Sequence, residues 1–340
     1  MILFICKNRT SSYGCERSSG LVNSATFAVN MFQDNGLEAK LVHVHDANGI
    51  DRMVHKFHPR HVILEALWVT PDKMAELLRI HKKAHWIVQV HSKIPFLSME
   101  GIACDWIVKY NELSKKCDNL SISFNTGITA QSFSDVIGGK FLTLPNVYWP
   151  KDYSDSKHRR RELHKGHIDI GCFGALRPLK NQLIQAFGAI LFAKAVGKPL
   201  RFHINCDRIE QNGDGIFRNI KALFDATPNA TLVCHPWEHH DAFMRTVGKM
   251  DLGLQVSFTE SFNTVAADFV WQNVPIVVSH DIDWMCNRMK CSADSAYDIA
   301  ACLMSAYKCG RRGIKEYKKH LVYHNKQAMI NWLDVFGKKR

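Results

Sequence analysis

The chain has 340 residues, 46% of them apolar and 22% charged, with a formal net charge of +12. That length exceeds what one hydrophobic core usually supports, so two domains of similar size are expected; the composition excludes a low-complexity or disordered chain. Residues 1–7 form an apolar run too short for a signal-peptide core and without a basic leader, and no segment reaches the roughly 18–20 apolar residues of a membrane helix, so a cytoplasmic protein is expected.

The first half alternates strand-like and helix-like segments. Strands are expected at 2–6, 41–44, 62–67, 86–91, 120–124 and 141–144. Between the first two, Val22, Ala25, Val29 and Phe32 recur at the spacing of an amphipathic helix that Gly36 ends. A second helix opens at Thr70-Pro71-Asp72, with Met74, Leu77 and Leu78 on one face. Residues 149–167 break the alternation with a polar, basic, aperiodic stretch that includes three consecutive arginines at 159–161. Beyond it, strands are expected at 168–173, 200–206, 231–235, 252–258 and 276–279, with a clear helix at about 181–195. Strand–helix alternation implies right-handed βαβ units and parallel sheets. The expected organisation is α/β: a Rossmann-like domain at 1–148, a linker at 149–167, a second Rossmann-like domain at 168–325, and a C-terminal helix at 326–340 packing back on the first. Two such doubly wound domains in tandem place a central cleft at the carboxyl ends of their sheets.

The eleven cysteines are scattered from Cys6 to Cys309, without a CxxC pair. Cys6, Cys172, Cys206 and Cys234 fall in apolar strand-like runs and read as small hydrophobes, in keeping with a reducing compartment. The positive charge is uneven. Residues 1–150 balance at +3, whereas 308–340 hold ten Lys/Arg, among them Arg311, Arg312, Lys315, Lys318 and Lys319, against two Asp/Glu. Such a stretch attracts nucleic acid or acidic lipid, and a solvated charged helix is an equal reading. Within the tail, Met329, Trp332, Leu333 and Phe336 offer an apolar face.

The most informative stretch runs from Ser257 to Asp268, followed by Asn273-Val274-Pro275-Ile276-Val277-Val278-Ser279. It reads as a strand, a polar turn and a helix starting near Asn263, whose free amides suit a diphosphate. Glu260 lies on the turn. Asp268 lies two turns into the helix, where a carboxylate can take both hydroxyls of a ribose. A second block, Gly171-Cys172-Phe173-Gly174-Ala175-Leu176-Arg177-Pro178-Leu179-Lys180-Asn181, runs from a buried strand through a glycine turn to two cations ahead of a helix. Two fixed cations there can neutralise a departing diphosphate.

Together these blocks resemble the group 1 (family 4) glycosyltransferases of GT-B fold. Their acid-x7-acid motif and Gly-x-Pro-Val-Val-type strand are matched by Glu260-x7-Asp268 and Asn273-Val274-Pro275-Ile276-Val277. Glu260-Ser261-Phe262-Asn263 stands where the family has Glu-Gly-Phe-Gly. Lys180 falls on the family lysine when Gly174 is aligned, and the arginine is displaced two places to Arg177. Phe141-Leu142-Thr143-Leu144-Pro145-Asn146 is similar to the family strand that closes the first domain. The resemblance implies that Glu260 contacts the transferred sugar, that Asp268 contacts the ribose, and that Arg177, Lys180, Gly174 and the turn Ser261, Phe262, Asn263 and Thr264 hold the diphosphate. It also places a cleft-facing histidine near His91. Arg17, Ser18, Ser19 and Gly20, in the loop after the first strand, are candidates for the acceptor.

The implied activity is a metal-independent retaining transfer from a UDP- or GDP-linked sugar, without a cofactor. The acceptor stays open between a hydroxylated base in DNA, as in some phage enzymes of this fold, and a lipid or polysaccharide. A nucleotide-sugar epimerase and a non-catalytic binding protein are the rival classes. The stretch His235-Pro236-Trp237-Glu238-His239-His240 matches no standard zinc spacing and is read as a loop.

Overall fold

The computed structural model describes residues 1–8, 20–151 and 166–336. It divides into two compact units, Met1–Lys151 with Asn325–Arg340, and Asp152–His324. Most of the expected linker, including residues 159–161, and the candidate residues Arg17, Ser18 and Ser19 lie outside the described residues. So do the side chains of Arg311 and Arg312.

Unit 1 contains β1 (Ile2–Lys7), α1 (Gly20–Asp34), β2 (Ala39–Val44), α2 (Asn48–Phe57), β3 (His61–Glu65), α3 (Pro71–Ile80), β4 (His85–Val90), α4 (Ile94–Leu97), α5 (Ala103–Lys116), β5 (Leu120–Phe124), α6 (Gly127–Ile137) and β6 (Phe141–Thr143). The strands form one parallel sheet in the order β2-β1-β3-β4-β5-β6. Helices cover both faces of such a sheet, so its central strands read as continuous apolar runs such as Ile-Leu-Phe-Ile-Cys in β1. α3 starts as its residues dictate: Thr70 Oγ1 accepts from the Lys73 amide at 3.2 Å, and Pro71 takes the first helical position.

Unit 2 contains β7 (Ile168–Gly171), α7 (Gln182–Val196), β8 (Leu200–Asn205), α8 (Asp214–Asp225), β9 (Ala230–His235), α9 (His240–Val247), β10 (Leu252–Gln255), α10 (Thr264–Trp271), β11 (Ile276–Ser279), β12 (Lys290–Cys291) and α11 (Ala296–Cys309). Its parallel sheet is ordered β12-β11-β10-β7-β8-β9. The fold class is therefore α/β with two Rossmann-like units, as the alternation predicts. Each sheet reverses its winding once, between β1 and β3 in unit 1 and between β7 and β10 in unit 2, and such switch points are where open α/β sheets take ligands.

The last helix, α12 (Arg311–Phe336), crosses the boundary between the units at His324/Asn325. In unit 1, the Asn325 side chain accepts from the Tyr148 amide at 2.9 Å and donates to the Tyr148 carbonyl at 2.8 Å. Trp332 lies against Phe4 and Phe32 with ring centroids 5.9 and 5.7 Å away, and its indole donates to the Pro145 carbonyl at 2.8 Å. Phe336 is buried beside it, and Met329 and Leu333 are partly buried.

Two expectations are corrected. Cys206 and Cys234, read as free thiols, are joined by a disulfide with Cα atoms 5.5 Å apart. Ile204 pairs with Cys234 across β8 and β9, so Cys206, two residues on, lies on the same side of the sheet. That adjacency is a product of sheet register and leaves no local motif. Lys318, read as a solvated cation, is half-buried with its Nζ 5.3 Å from the centre of the Trp271 ring, and burial pushes its ammonium pKa down.

The place of α10 on the sheet is set by two glycines. Gly253 pairs with Gly171 across β10 and β7, and Phe269 of α10 presses onto both. A Cβ at Gly253 would stand 2.5 Å from the Phe269 ring. Gly253→Ala is expected to destabilise the protein by about 1–3 kcal/mol, the usual scale of overpacking, read as a lowered Tm in thermal unfolding; an unchanged Tm would contradict this packing.

Candidate functional site

The switch point of unit 2 brings together the two blocks singled out in the sequence. The turn after β7 begins at Gly174, whose φ of +124° is one that residues with a Cβ rarely adopt. Its amide donates to the Asn205 side chain at 2.9 Å, and a Cβ there would touch Lys180 Cε at 4.0 Å. The chain then makes a short 3-10 turn, Pro178–Lys180, and the Phe258 amide donates to the Leu179 carbonyl at 3.0 Å, tying this turn to the segment after β10. Asn181 holds the same junction, donating to the carbonyls of Val256 and Ala293 at 2.9 and 2.6 Å.

With both turns fixed, the Lys180 ammonium donates to Glu260 Oε1, forming an ion pair between residues 80 apart in sequence. The side chains are 15% and 10% exposed, so the pair is largely withdrawn from water. Burial alone would raise the Glu260 pKa. The Lys180 charge and hydrogen bond, with Arg177 adding to them, outweigh it and hold the carboxyl below the usual carboxylate range. Arg177 Nη1 contacts Glu210 Oε2 at 3.3 Å. The Glu260 amide donates to the Asp281 carboxylate, two residues past β11.

Asn263, at φ +66°, caps α10, its Oδ1 accepting from the Ala266 amide at 2.8 Å and its Nδ2 donating to Gln255 Oε1 at 2.8 Å. Phe262 is buried against Trp284, whose indole donates to the Phe262 carbonyl at 2.7 Å. Ser261 and Thr264 are partly exposed beside them. The hydroxyls of Thr259 and Ser279, which follow β10 and end β11, are buried without a hydrogen-bond partner among the described residues; buried hydroxyls normally have one.

Asp268 is 2% exposed and is bonded to His240 Nε2 at 2.7 Å. This partner was not foreseen, although His240 closes the histidine-rich stretch that stood out in the sequence. His235 of that stretch bonds instead to His203 at 2.8 Å, and His203 bonds to Asp169 at 2.9 Å.

In unit 1, His91 follows β4 and its Nε2 contacts the buried Glu65, at the end of β3, at 2.5 Å. Asn125, after β5, lies 3.2 Å from His91 Nδ1. Glu65 and Asn125 were likewise unforeseen; each sits at the carboxyl end of a strand beside the one that leads to His91, which is the only signal they carry. Gly20 opens α1, and a Cβ there would meet open space.

No protein-family model matches the chain, and no curated protein matches its sequence. Solved structures do match. Sucrose-phosphate synthase from Thermosynechococcus elongatus superposes with a TM-score of 0.66 at 10% identity, over 99% of both chains. Anabaena HepE, in complex with UDP and glucose, gives 0.62 at 11% identity over 96% of this chain and 97% of that one. An S. aureus TarM mutant, in complex with fondaparinux, alpha-GlcNAc-glycerol and UDP, gives 0.60 at 12% identity; the match covers 82% of this chain and 55% of TarM's. Likeness at this level of identity establishes a shared GT-B fold. No helix among the described residues is long and apolar enough to cross a membrane.

The His240–Asp268 contact makes a titration prediction. Burial by itself would lower the His240 pKa, but the charge and hydrogen bond of Asp268, with Asp241 beside it, raise it above the ordinary imidazole value. A raised folded pKa means that the pair's stabilisation is complete below about pH 6.5 and is lost as pH rises through the folded value. NMR titration should show His240 above that ordinary value in the wild type and shifted down in Asp268→Asn, where only the Asp241 charge still opposes burial. A midpoint that does not move would contradict the pairing.

Proposed function

We propose that the chain is a retaining glycosyltransferase that takes a UDP- or GDP-linked sugar in unit 2. The observation that carries this reading is the Lys180–Glu260 pair, held by turns after β7 and β10 at the switch point. The GT-B fold shared with solved glycosyltransferase structures adds to it.

An ammonium has three N–H donors, so Lys180 can hold Glu260 with one and keep two for a diphosphate. Arg177 stands on the same turn as a second cation. In the proposed reaction the bond between the sugar C1 and the diphosphate oxygen breaks as the acceptor oxygen bonds to C1 on the same face. The acceptor proton passes to the leaving phosphate oxygen, and a nucleoside diphosphate departs. Lys180 and Arg177 offset the charge that builds on it. Glu260, kept ionised by Lys180, acts as an acceptor for sugar hydroxyls and as a negative charge near C1, not as a proton donor. The amides of Phe262, Asn263 and Thr264 and the turn at Gly174 and Ser261 cradle the diphosphate. Asp268 faces the ribose with His240 behind it. Transfer on these terms uses no metal or cofactor.

The acceptor is proposed to be a hydroxylated base in DNA, with His91 and Gly20, and Arg17, Ser18 and Ser19 before it, on the acceptor side. The exposed Lys315 and Lys319 of α12, within the basic 308–340 stretch, support a polyanion. Lys318 does not, since it is turned against Trp271.

Glu260→Ala and Lys180→Ala should each lower donor turnover by about 10²-fold or more, measured as nucleoside diphosphate release with donor in excess. Wild-type turnover in either variant would remove the assignment; isomerised sugar without acceptor would mark an epimerase, and donor binding without turnover a binding protein. In the same preparation, Lys315→Gln with Lys319→Gln should weaken duplex DNA binding and flatten its dependence on salt. No DNA retention by the wild type at low salt would move the acceptor to a lipid or glycan.

A further inference from the structure

Three side chains of unit 2 that the transfer does not use converge on one point. Glu316 and His320 are four residues apart on α12 and therefore share a helix face; both are exposed. Cys286, buried at 5% exposure, precedes the 3-10 turn Asn287–Met289. One ligand atom from each, a thiol sulfur, a carboxylate oxygen and an imidazole nitrogen, lie within 4.8 Å of one another. Among the described residues neither Glu316 nor His320 has an ion pair or a side-chain hydrogen bond. Burial, and next the Glu316 carboxylate, push the Cys286 thiol pKa up, and the neighbouring amides of Met289 and Arg288 only partly oppose this.

We propose that Cys286, Glu316 and His320 bind a divalent ion of the zinc class, with water completing its coordination. Calcium and magnesium demand all-oxygen ligands, whereas a thiolate with an imidazole selects zinc and its neighbours. Tetrahedral zinc, with bonds of about 2.0–2.3 Å, separates its ligand atoms by roughly 3.3–3.7 Å. Rotation of the two exposed side chains towards the fixed sulfur closes the remaining gap.

The ion would tie α12 to the segment between β11 and β12. That segment carries Asp281, which accepts from the Glu260 amide, and Trp284, whose indole donates to the Phe262 carbonyl. His324, one turn beyond His320, lies against the Phe262 ring with centroids 5.1 Å apart. The metal thus braces the turn that bears Glu260 and takes no part in bond making. The inference stands on these residues alone and does not depend on the proposed transfer.

The test is a titration of the full chain, stripped of metal with a chelator, using Co²⁺ as the probe. One equivalent should bind and give the near-ultraviolet band of sulfur-to-cobalt charge transfer, and Zn²⁺ should displace it. Cys286→Ala should abolish the band, and Cys104→Ala, at an exposed cysteine, should leave it intact. Glu316→Gln and His320→Gln, at exposed positions that leave the fold in place, should each weaken binding by at least about 10-fold, since even outer-shell losses reach that scale. The absence of a band in the wild type, or unchanged affinity and spectrum in His320→Gln, would overturn the site; the second result decides even where Cys286→Ala fails to fold.

Discussion

A carboxylate and an ammonium withdrawn from water are tolerable only together, because each alone forfeits its hydration. Glu260 and Lys180 meet that condition across 80 residues of chain. Their meeting requires β7 and β10 to be neighbours, the glycines at 171 and 253 to let Phe269 seat α10, and Asn181 to pin one turn to the other. Unit 2 can thus be understood as a frame that brings one charge of each sign to the carboxyl ends of two adjacent strands. A buried ion pair is a poor source of net stability compared with apolar packing. Its placement at the switch point is what the proposed donor site draws on.

The dependence extends outward from the pair. Asp281 holds the Glu260 amide, Gln255 holds Asn263, and Trp284 holds the carbonyl of Phe262, so the turn from Thr259 to Asn263 is fixed from three sides. Asp268, by contrast, is committed to His240. In the proposed function, the ribose contact given to Asp268 would involve His240 as well and would link donor binding to the protonation of an imidazole.

The strands were legible because a parallel sheet covered on both faces leaves near-continuous apolar runs, and the observed bounds differ from the expected ones mainly where a run continues past the last ladder bond. For instance, the apolar residues after Gln255 continue to Phe258, but β10 stops as the chain turns towards Leu179. The two-residue β12 carries too little pattern to be seen. The Glu260 and Lys180 blocks were legible because each is a local signal of a strand followed by a polar turn. Partners set by tertiary register were not: His240 for Asp268, Glu65 for His91, Cys234 for Cys206, Trp271 under Lys318. In each case the residue type was visible and the neighbour was not, because nothing near it in sequence encodes it.

The central claim is that the Lys180 ammonium, held by Glu260, receives a nucleoside diphosphate. Calorimetric titration of UDP and GDP into the wild type and Lys180→Ala, with the matching nucleosides as controls, addresses it directly. One diphosphate should bind the wild type, and Lys180→Ala should weaken it by roughly 10- to 100-fold, the scale of one hydrogen bond to a charged group, while nucleoside affinity stays unchanged. Equal diphosphate affinity in the two proteins would contradict the account.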